Sequence, residues 1–377
     1  MLPPPPKKSH LNELAPKSQG LNHPLFQCAV LILPWLNPQE LATISFTCKT
    51  LHQLALSVTL HRSLDASRSF ENLPIPFHNT VDQYPYAYFI YTPSQIIPSP
   101  SFPYLQRQSW GPNNLLSQLG PNSSQGQALS GSSSSDAEMG CAYFQRSRVA
   151  DDSMWVSVVG ESACVCERCL KVTEDNVIGC PCMELEGAEW MGILSECGPS
   201  CRCGLECGNR PSQRGIRVQL KIVKDVRKGW SLYAAQWIQR GQFVCEYAGE
   251  LLTTKEARRR QQIYDELASG GHFSSALLVV REHLPSGKAC LRINIDATRV
   301  GNVARFINHS CDGGNLSTVL VRSSGALLPR LCFFASKDIN EDEELTFSYG
   351  EIRVKPKGLQ CFCGSSCCLG TLPSEHT

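Results

Sequence analysis

Residues 164–207 read CVCERCLKVTEDNVIGCPCMELEGAEWMGILSECGPSCRCGLEC, and the cysteines in that stretch decide how the chain is built. They are Cys164, Cys166, Cys169, Cys180, Cys182, Cys197, Cys201, Cys203 and Cys207. Zinc takes four thiolates in a tetrahedron, so three ions need about twelve bonds. Nine sulfurs supply these if six bind one ion each and three bridge two. The count closes on a trinuclear zinc cluster. A disulfide framework is disfavoured because the number is odd, no secretory signal is found, and Cys-x-Cys pairs are too close for easy bridging.

A second group, Cys361, Cys363 and Cys368, lies near the C-terminus beside an extra Cys367. Three thiolates leave a zinc tetrahedron one ligand short. Cys311, in the run Asn308-His309-Ser310-Cys311, is the best candidate for the fourth. The expected content is therefore about four zinc ions, three in the first cluster and one in the second. Cys28, Cys48, Cys141, Cys245, Cys290, Cys332 and Cys367 are scattered and read as small buried hydrophobes.

The formal charge of +1 counts every cysteine as neutral. Thirteen thiolates and four zinc ions change it to about −4. An acidic metalloprotein lacks the basic stripe that DNA binding requires, so no direct sequence-specific DNA binding is expected, and a basic partner suits it better. Arg258-Arg259-Arg260, on the helix-like stretch 253–267, reads as a solvated face. The most apolar stretch, 26–36, is too short to span a bilayer, which predicts a soluble intracellular protein and no membrane partner.

Composition divides the chain. Residues 1–24 read as a disordered tail and 25–72 as a helical module, with Leu41, Ile44, Leu51, Leu54 and Leu56 at helical spacing. The module's Leu33-Pro34, Pro38-x-x-Leu41-Ala42, Ser45 and Cys48-Lys49 are similar to an F-box, which implies a ubiquitin-ligase linker protein as partner. Pro, Ser, Gly and Gln enrichment marks 93–150 as a flexible linker or insertion. Beyond the nine cysteines, short β-type runs recur at 218–223, 242–247, 277–280, 290–295 and 331–334, with a hairpin expected at Pro285-Ser286-Gly287. No Gly-x-Gly occurs among the 28 glycines, so the glycine-rich turn of a Rossmann nucleotide site is missing.

Four further motifs follow in order: Lys228-Gly229-Trp230; Glu246-Tyr247-Ala248-Gly249-Glu250; Arg305-Phe306-Ile307-Asn308-His309-Ser310-Cys311; and Glu344-Leu345-Thr346-Phe347-Ser348-Tyr349-Gly350. With the cysteine groups and the stretch Ile75-Pro76-x-x-Asn79-x-Val81-Asp82, this order resembles a SET-domain lysine methyltransferase of the suppressor-of-variegation type, nearest its small plant members, over residues 73–370. The resemblance implies a mostly β SET fold with short helices: small curved sheets around a knot-like C-terminal segment. It further implies a lead-in at 73–92, a pre-SET zinc domain at 151–212, a SET domain at 213–350 and a post-SET zinc loop and tail at 351–377.

By the same resemblance, S-adenosylmethionine is held by Lys228, Gly229, Trp230, Arg305, Asn308, His309 and Tyr349. Gly229 would let the backbone approach the donor, Trp230 would offer its ring to the sulfonium, and Asn308 and His309 their amide and imidazole to adenosine. Tyr247 and Tyr349 match the catalytic tyrosines, and Phe347 the position that influences how many methyls fit. The implied activity is methylation of a histone lysine, lysine nine of histone H3 above others, in nuclear chromatin, with a histone tail or nucleosome as partner. A catalytically weak scaffold that binds histone tails, or an F-box adaptor, are the alternatives. Ser231, Gly314 and Ser348 depart from the family pattern, and no tyrosine lies at 273–276, which bears on rate and cofactor affinity more than on fold.

Overall fold

The computed structural model describes residues 23–98, 193–269, 273–283, 290–326, 328–350 and 359–373. Three helices open it: α1 (Pro24–Ile32), α2 (Pro38–Ser45) and α3 (Lys49–Leu64). Helix α2 starts on a reciprocal cap in which Asn37 Oδ1 accepts from Glu40 N and Glu40 Oε2 from Asn37 N. The helices share a small core of Ala29, Leu33, Leu41 and Ala55. Arg62 fastens them to the next segment, donating to the carbonyls of Pro34 and Leu36 and to the Tyr86 hydroxyl.

The remainder is mostly β. Strands β1 (Phe77–His78), β4 (Leu220–Asp225) and β5 (Gly229–Ala234) form one sheet. Strands β3 (Ile193–Glu196), β11 (Leu316–Ser323), β12 (Arg330–Ala335) and β6 (Phe243–Glu246) form a second. A third holds β2 (Ile90–Tyr91), β9 (Cys290–Gly301) and β7 (Gly249–Leu252), with β8 (Leu277–His283) also paired to β9. The five β-type runs each fall on one of these strands, and the β8–β9 pairing is antiparallel, as a hairpin requires. The expected turn at 285–287 lies outside the described residues. Helix α4 (Thr254–Ser269) packs against β7 and β9.

All three sheets feed one core in which Ile222, Leu232, Val244, Ile295, Phe333 and Leu345 are each fully buried. A fourth pairing, β10 (Asn308–His309) with β13 (Thr346–Phe347), is parallel and brings two of the motifs side by side. Among the described residues no helix is long and apolar enough to cross a membrane.

Three expectations need correction. The segment from 93 does not begin as a linker, because Gln95 is buried and donates through its backbone N–H to Glu246, while Ile96 pairs with Glu250. Arg260 is not on a solvated face but buried between Glu250, Glu256 and Asp296, at 2.7, 3.0 and 2.6 Å. Of the scattered cysteines, Cys245 and Cys332 are buried, but Cys28, Cys48 and Cys367 are exposed. Cys48 instead caps α3, its sulfur accepting from Leu51 N. Residues 1–22 and 99–192, including Cys141 and the cysteines from 164 to 182, lie outside the described residues.

Candidate active site and metal centres

The turn before β5 is built by Asp225, whose carboxylate accepts the backbone N–H groups of Arg227 and Lys228. Those hydrogen bonds, Lys228's first, hold the Asp225 carboxyl below its ordinary pKa. Gly229 follows at φ +77, and a Cβ placed there would meet nothing within 4 Å, so the backbone is open to an approaching ligand. Lys228 Nζ lies 2.6 Å from Glu344 Oε2. The other oxygen of Glu344 accepts from Asn308 Nδ2 at 3.0 Å, and the same amide donates to Ser231 Oγ at 2.7 Å. Ser231 thus takes a hydrogen bond that the usual glycine could not. Glu344 lies in the last of the four motifs, and only the fold makes it the common partner of Lys228 and Asn308.

The structure brings Lys228, Gly229, Asn308, Phe347 and Tyr349 together but gives two rings other work. Trp230 packs edge-on against Phe77, with centroids 5.1 Å apart, and carries the Lys224 ammonium 5.1 Å from its own centroid. A cation thus already lies over the ring expected to receive a sulfonium. His309 is 5% exposed and commits both ring nitrogens, Nδ1 accepting from Tyr349 N at 3.1 Å and Nε2 lying 3.3 Å from Cys311 Sγ. No imidazole nitrogen remains for adenosine. Arg305 donates to the Thr298 carbonyl and lies over Phe89 and Phe306.

The two tyrosines are joined by aromatic contacts. Tyr247 packs on Phe333 at 6.3 Å, Phe333 on Phe347 at 4.8 Å, and Phe347 on Tyr349 at 4.9 Å. Each hydroxyl donates to a backbone carbonyl, Tyr247 to Ala276 at 2.8 Å and Tyr349 to Ile307 at 2.9 Å. Burial pushes both hydroxyls well above the ordinary tyrosine pKa, so both stay protonated. With the proton committed to a carbonyl, each oxygen keeps its lone pairs for another group.

Four sulfurs, Cys311, Cys361, Cys363 and Cys368, lie within 4.8 Å of one another. The 3.8 Å between Cys311 and Cys361 Sγ matches the edge of a tetrahedron with Zn–S bonds of about 2.3 Å. Burial pushes the Cys361 thiol up to about 12, while at Cys363 hydrogen bonds, led by the Ser365 hydroxyl, outweigh burial and bring the thiol down to about 6. A divalent cation would let all four ionise together. Cys197, Cys203 and Cys207 form a second, buried group. Its neighbour Glu196 is fully buried and meets Arg330 at 3.1 Å, and Arg330 also meets Glu246, next to Tyr247, at 3.2 Å.

The SET domain family matches residues 229–350. The chain is 56% identical, over 99% of its length and 98% of the relative's, to the histone-lysine N-methyltransferase SUVR3 of Arabidopsis thaliana. Among solved structures it is similar to Arabidopsis thaliana SUVH6 in complex with SAM, at a TM-score of 0.56 and 26% identity over 82% of this chain and 55% of that one. It is also similar to KRYPTONITE in complex with mCHH DNA, H3(1-15) peptide and SAH, at 0.52 and 25% over 82% of this chain and 53% of that one. The chain spans just over half of each of those two structures. With the mostly β fold, the ordered motifs and the cysteine groups, these likenesses place the chain in the family of SET-domain histone-lysine N-methyltransferases, in its suppressor-of-variegation branch.

Proposed function

We propose that the protein methylates lysine nine of histone H3 in nuclear chromatin, with S-adenosylmethionine as donor. The paired tyrosines carry this reading, since each hydroxyl is anchored on a backbone carbonyl and the two rings are linked through Phe333 and Phe347. Bound S-adenosylmethionine would supply a methyl group activated on a sulfonium. Lys228, Gly229 and Asn308 would hold it, the Lys228–Glu344 pair keeping the turn in place. Tyr247, Phe347 and Tyr349 would line the lysine channel, and an apolar channel favours the neutral amine, so no carboxylate base is required. The lone pairs of the two tyrosine oxygens would orient the amine and the transferring methyl. Phe347 leaves room that a tyrosine hydroxyl would fill, so products beyond monomethyl-lysine are expected.

We assign one zinc ion to Cys311, Cys361, Cys363 and Cys368 and three to the nine-cysteine group that includes Cys197, Cys201, Cys203 and Cys207. The deciding experiment is mass spectrometry of a histone mixture incubated with the protein and S-adenosylmethionine. Di- or trimethylation of H3 at lysine nine is expected, and modification of another lysine would overturn the target. No modification at all, with zinc retained, would favour a histone-binding scaffold. A second reading applies to the helical module, where Leu31, Trp35 and Phe46 are 72%, 55% and 88% exposed. Exposed apolar side chains of this size fit a protein partner. Co-purification of a ubiquitin-ligase linker protein with residues 23–72 intact, and its loss on Phe46→Ser, would support that role.

A further inference from the structure

His309 joins the candidate metal centre to the candidate active site. Its ring is buried, so its polar contacts are made within the protein. The Tyr349 backbone N–H donates to Nδ1, which must therefore carry a lone pair rather than a proton. A neutral imidazole with an unprotonated Nδ1 bears its hydrogen on Nε2, and Nε2 is the atom 3.3 Å from Cys311 Sγ. One side of the ring thus donates toward a sulfur of the four-cysteine group, and the other accepts from the residue whose hydroxyl is anchored on Ile307.

We infer that His309 is a positioning residue that ties the backbone of Tyr349 to the Cys311 thiolate, so that metal occupancy at the four cysteines sets the placement of the tyrosine. This rests on the methyltransferase reading above. An N–H donated to a metal-bound thiolate orients it and tempers its charge, and such outer partners typically contribute about 10- to 100-fold in metal affinity. The same contact makes the ring a strut, because Cys311 and Tyr349 lie on different motifs that meet through the β10–β13 pairing.

Two substitutions separate the halves. In His309→Asn the amide oxygen stands in for Nδ1 and can still accept from Tyr349 N, but nothing reaches Cys311. In His309→Gln the amide nitrogen stands in for Nε2 and can still donate to the sulfur, but the acceptor for Tyr349 is gone. Cobalt(II) replaces zinc as the probe in the full-length protein, read by its thiolate charge-transfer band and by competition with a chelator. His309→Asn should shift the band to lower energy and weaken metal retention about tenfold or more. His309→Gln should keep band and retention near the parent while kcat falls about tenfold and the KM for a histone peptide changes little.

A parental band and retention in His309→Asn would overturn the sulfur contact, and a parental kcat in His309→Gln would overturn the strut. If neither variant folds, the unsubstituted protein loaded with cadmium-113 decides: scalar coupling between the metal and the His309 Nε2 proton is expected, and its absence overturns the proposal. The metal readouts need no histone turnover, so a parent protein inactive on histones would defeat the methyltransferase reading without touching them.

Discussion

Replacing Tyr349 by phenylalanine removes one oxygen and leaves the ring, whose centroid stays 4.9 Å from Phe347 and 5.3 Å from His309. On the stability side, the Ile307 carbonyl loses its 2.9 Å donor in a residue that is 2% exposed, which costs about 1–3 kcal/mol. That should lower the melting temperature by a few degrees and leave zinc content unchanged. On the rate side, the hydroxyl is a preorganised dipole whose proton is committed to a carbonyl and whose lone pairs are left for the amine and methyl. Deleting one such group costs about a hundredfold in the chemical step, or about 2.7 kcal/mol. Single-turnover transfer of a radiolabelled methyl to a histone H3 peptide, at saturating donor, separates this loss from binding. Turnover at the parent rate by a folded variant would make Tyr349 a packing residue and refute the placement of the site. Loss of fold or of zinc would show the hydroxyl to be structural and refute it equally.

Metal analysis of the purified protein should find about four zinc ions, and Cys311→Ser should lose one of them together with turnover; a content of one ion or none would refute the cluster. Arg330→Met should destabilise the protein by about 3–5 kcal/mol in denaturant melts, because Glu196 and Glu246 would be left buried without their cation. Adding Glu196→Gln and Glu246→Gln should recover part of that loss, and a variant as stable as the parent would show the network to be idle. Asp82 is held at about 2 rather than 3.8, chiefly by its hydrogen bond from Lys224 and then by that from Asn79. A depressed carboxyl stabilises the fold above its ordinary value and loses that contribution as pH falls through its folded value. Urea midpoints should therefore fall more steeply for the parent than for Asp82→Asn between about pH 4 and pH 2, and parallel curves would remove Asp82 from the balance.

Side-chain chemistry that repeats in a short window was legible in the sequence. Cys361, Cys363 and Cys368 announced a metal loop, and ligand counting then pointed to Cys311, whose sulfur is 3.8 Å from that of Cys361. The strands followed from short β-type runs, and the N-terminal helices from apolar residues at helical spacing. What escaped were pairings between distant residues that no local pattern encodes. Glu344 is one acidic residue in a run of four, Glu341 to Glu344, and only its register opposite Tyr233 selects it as the partner of Lys228 and Asn308. Arg330 likewise gains its role from the β12–β6 pairing, which sets it beside Glu246. The setting of Trp230 comes in the same way from the antiparallel register, which puts Lys224 directly across from it, a neighbour six residues back that sequence alone does not place on the same face.

The short parallel pairings of β1 with β4 and β2 with β9 tie residues 77–91 to strands beyond residue 220. Each pairing closes the chain on itself, and the entropy of closing a chain segment grows only with the logarithm of its length. Doubling it would cost about 0.6 kcal/mol. The number of residues between the anchors therefore weighs little on closure, while a single-residue slip in β1 would turn Phe77 out of the core. Among orthologues, the spacing between β2 and β4 should vary more than that from Lys228 to Tyr247.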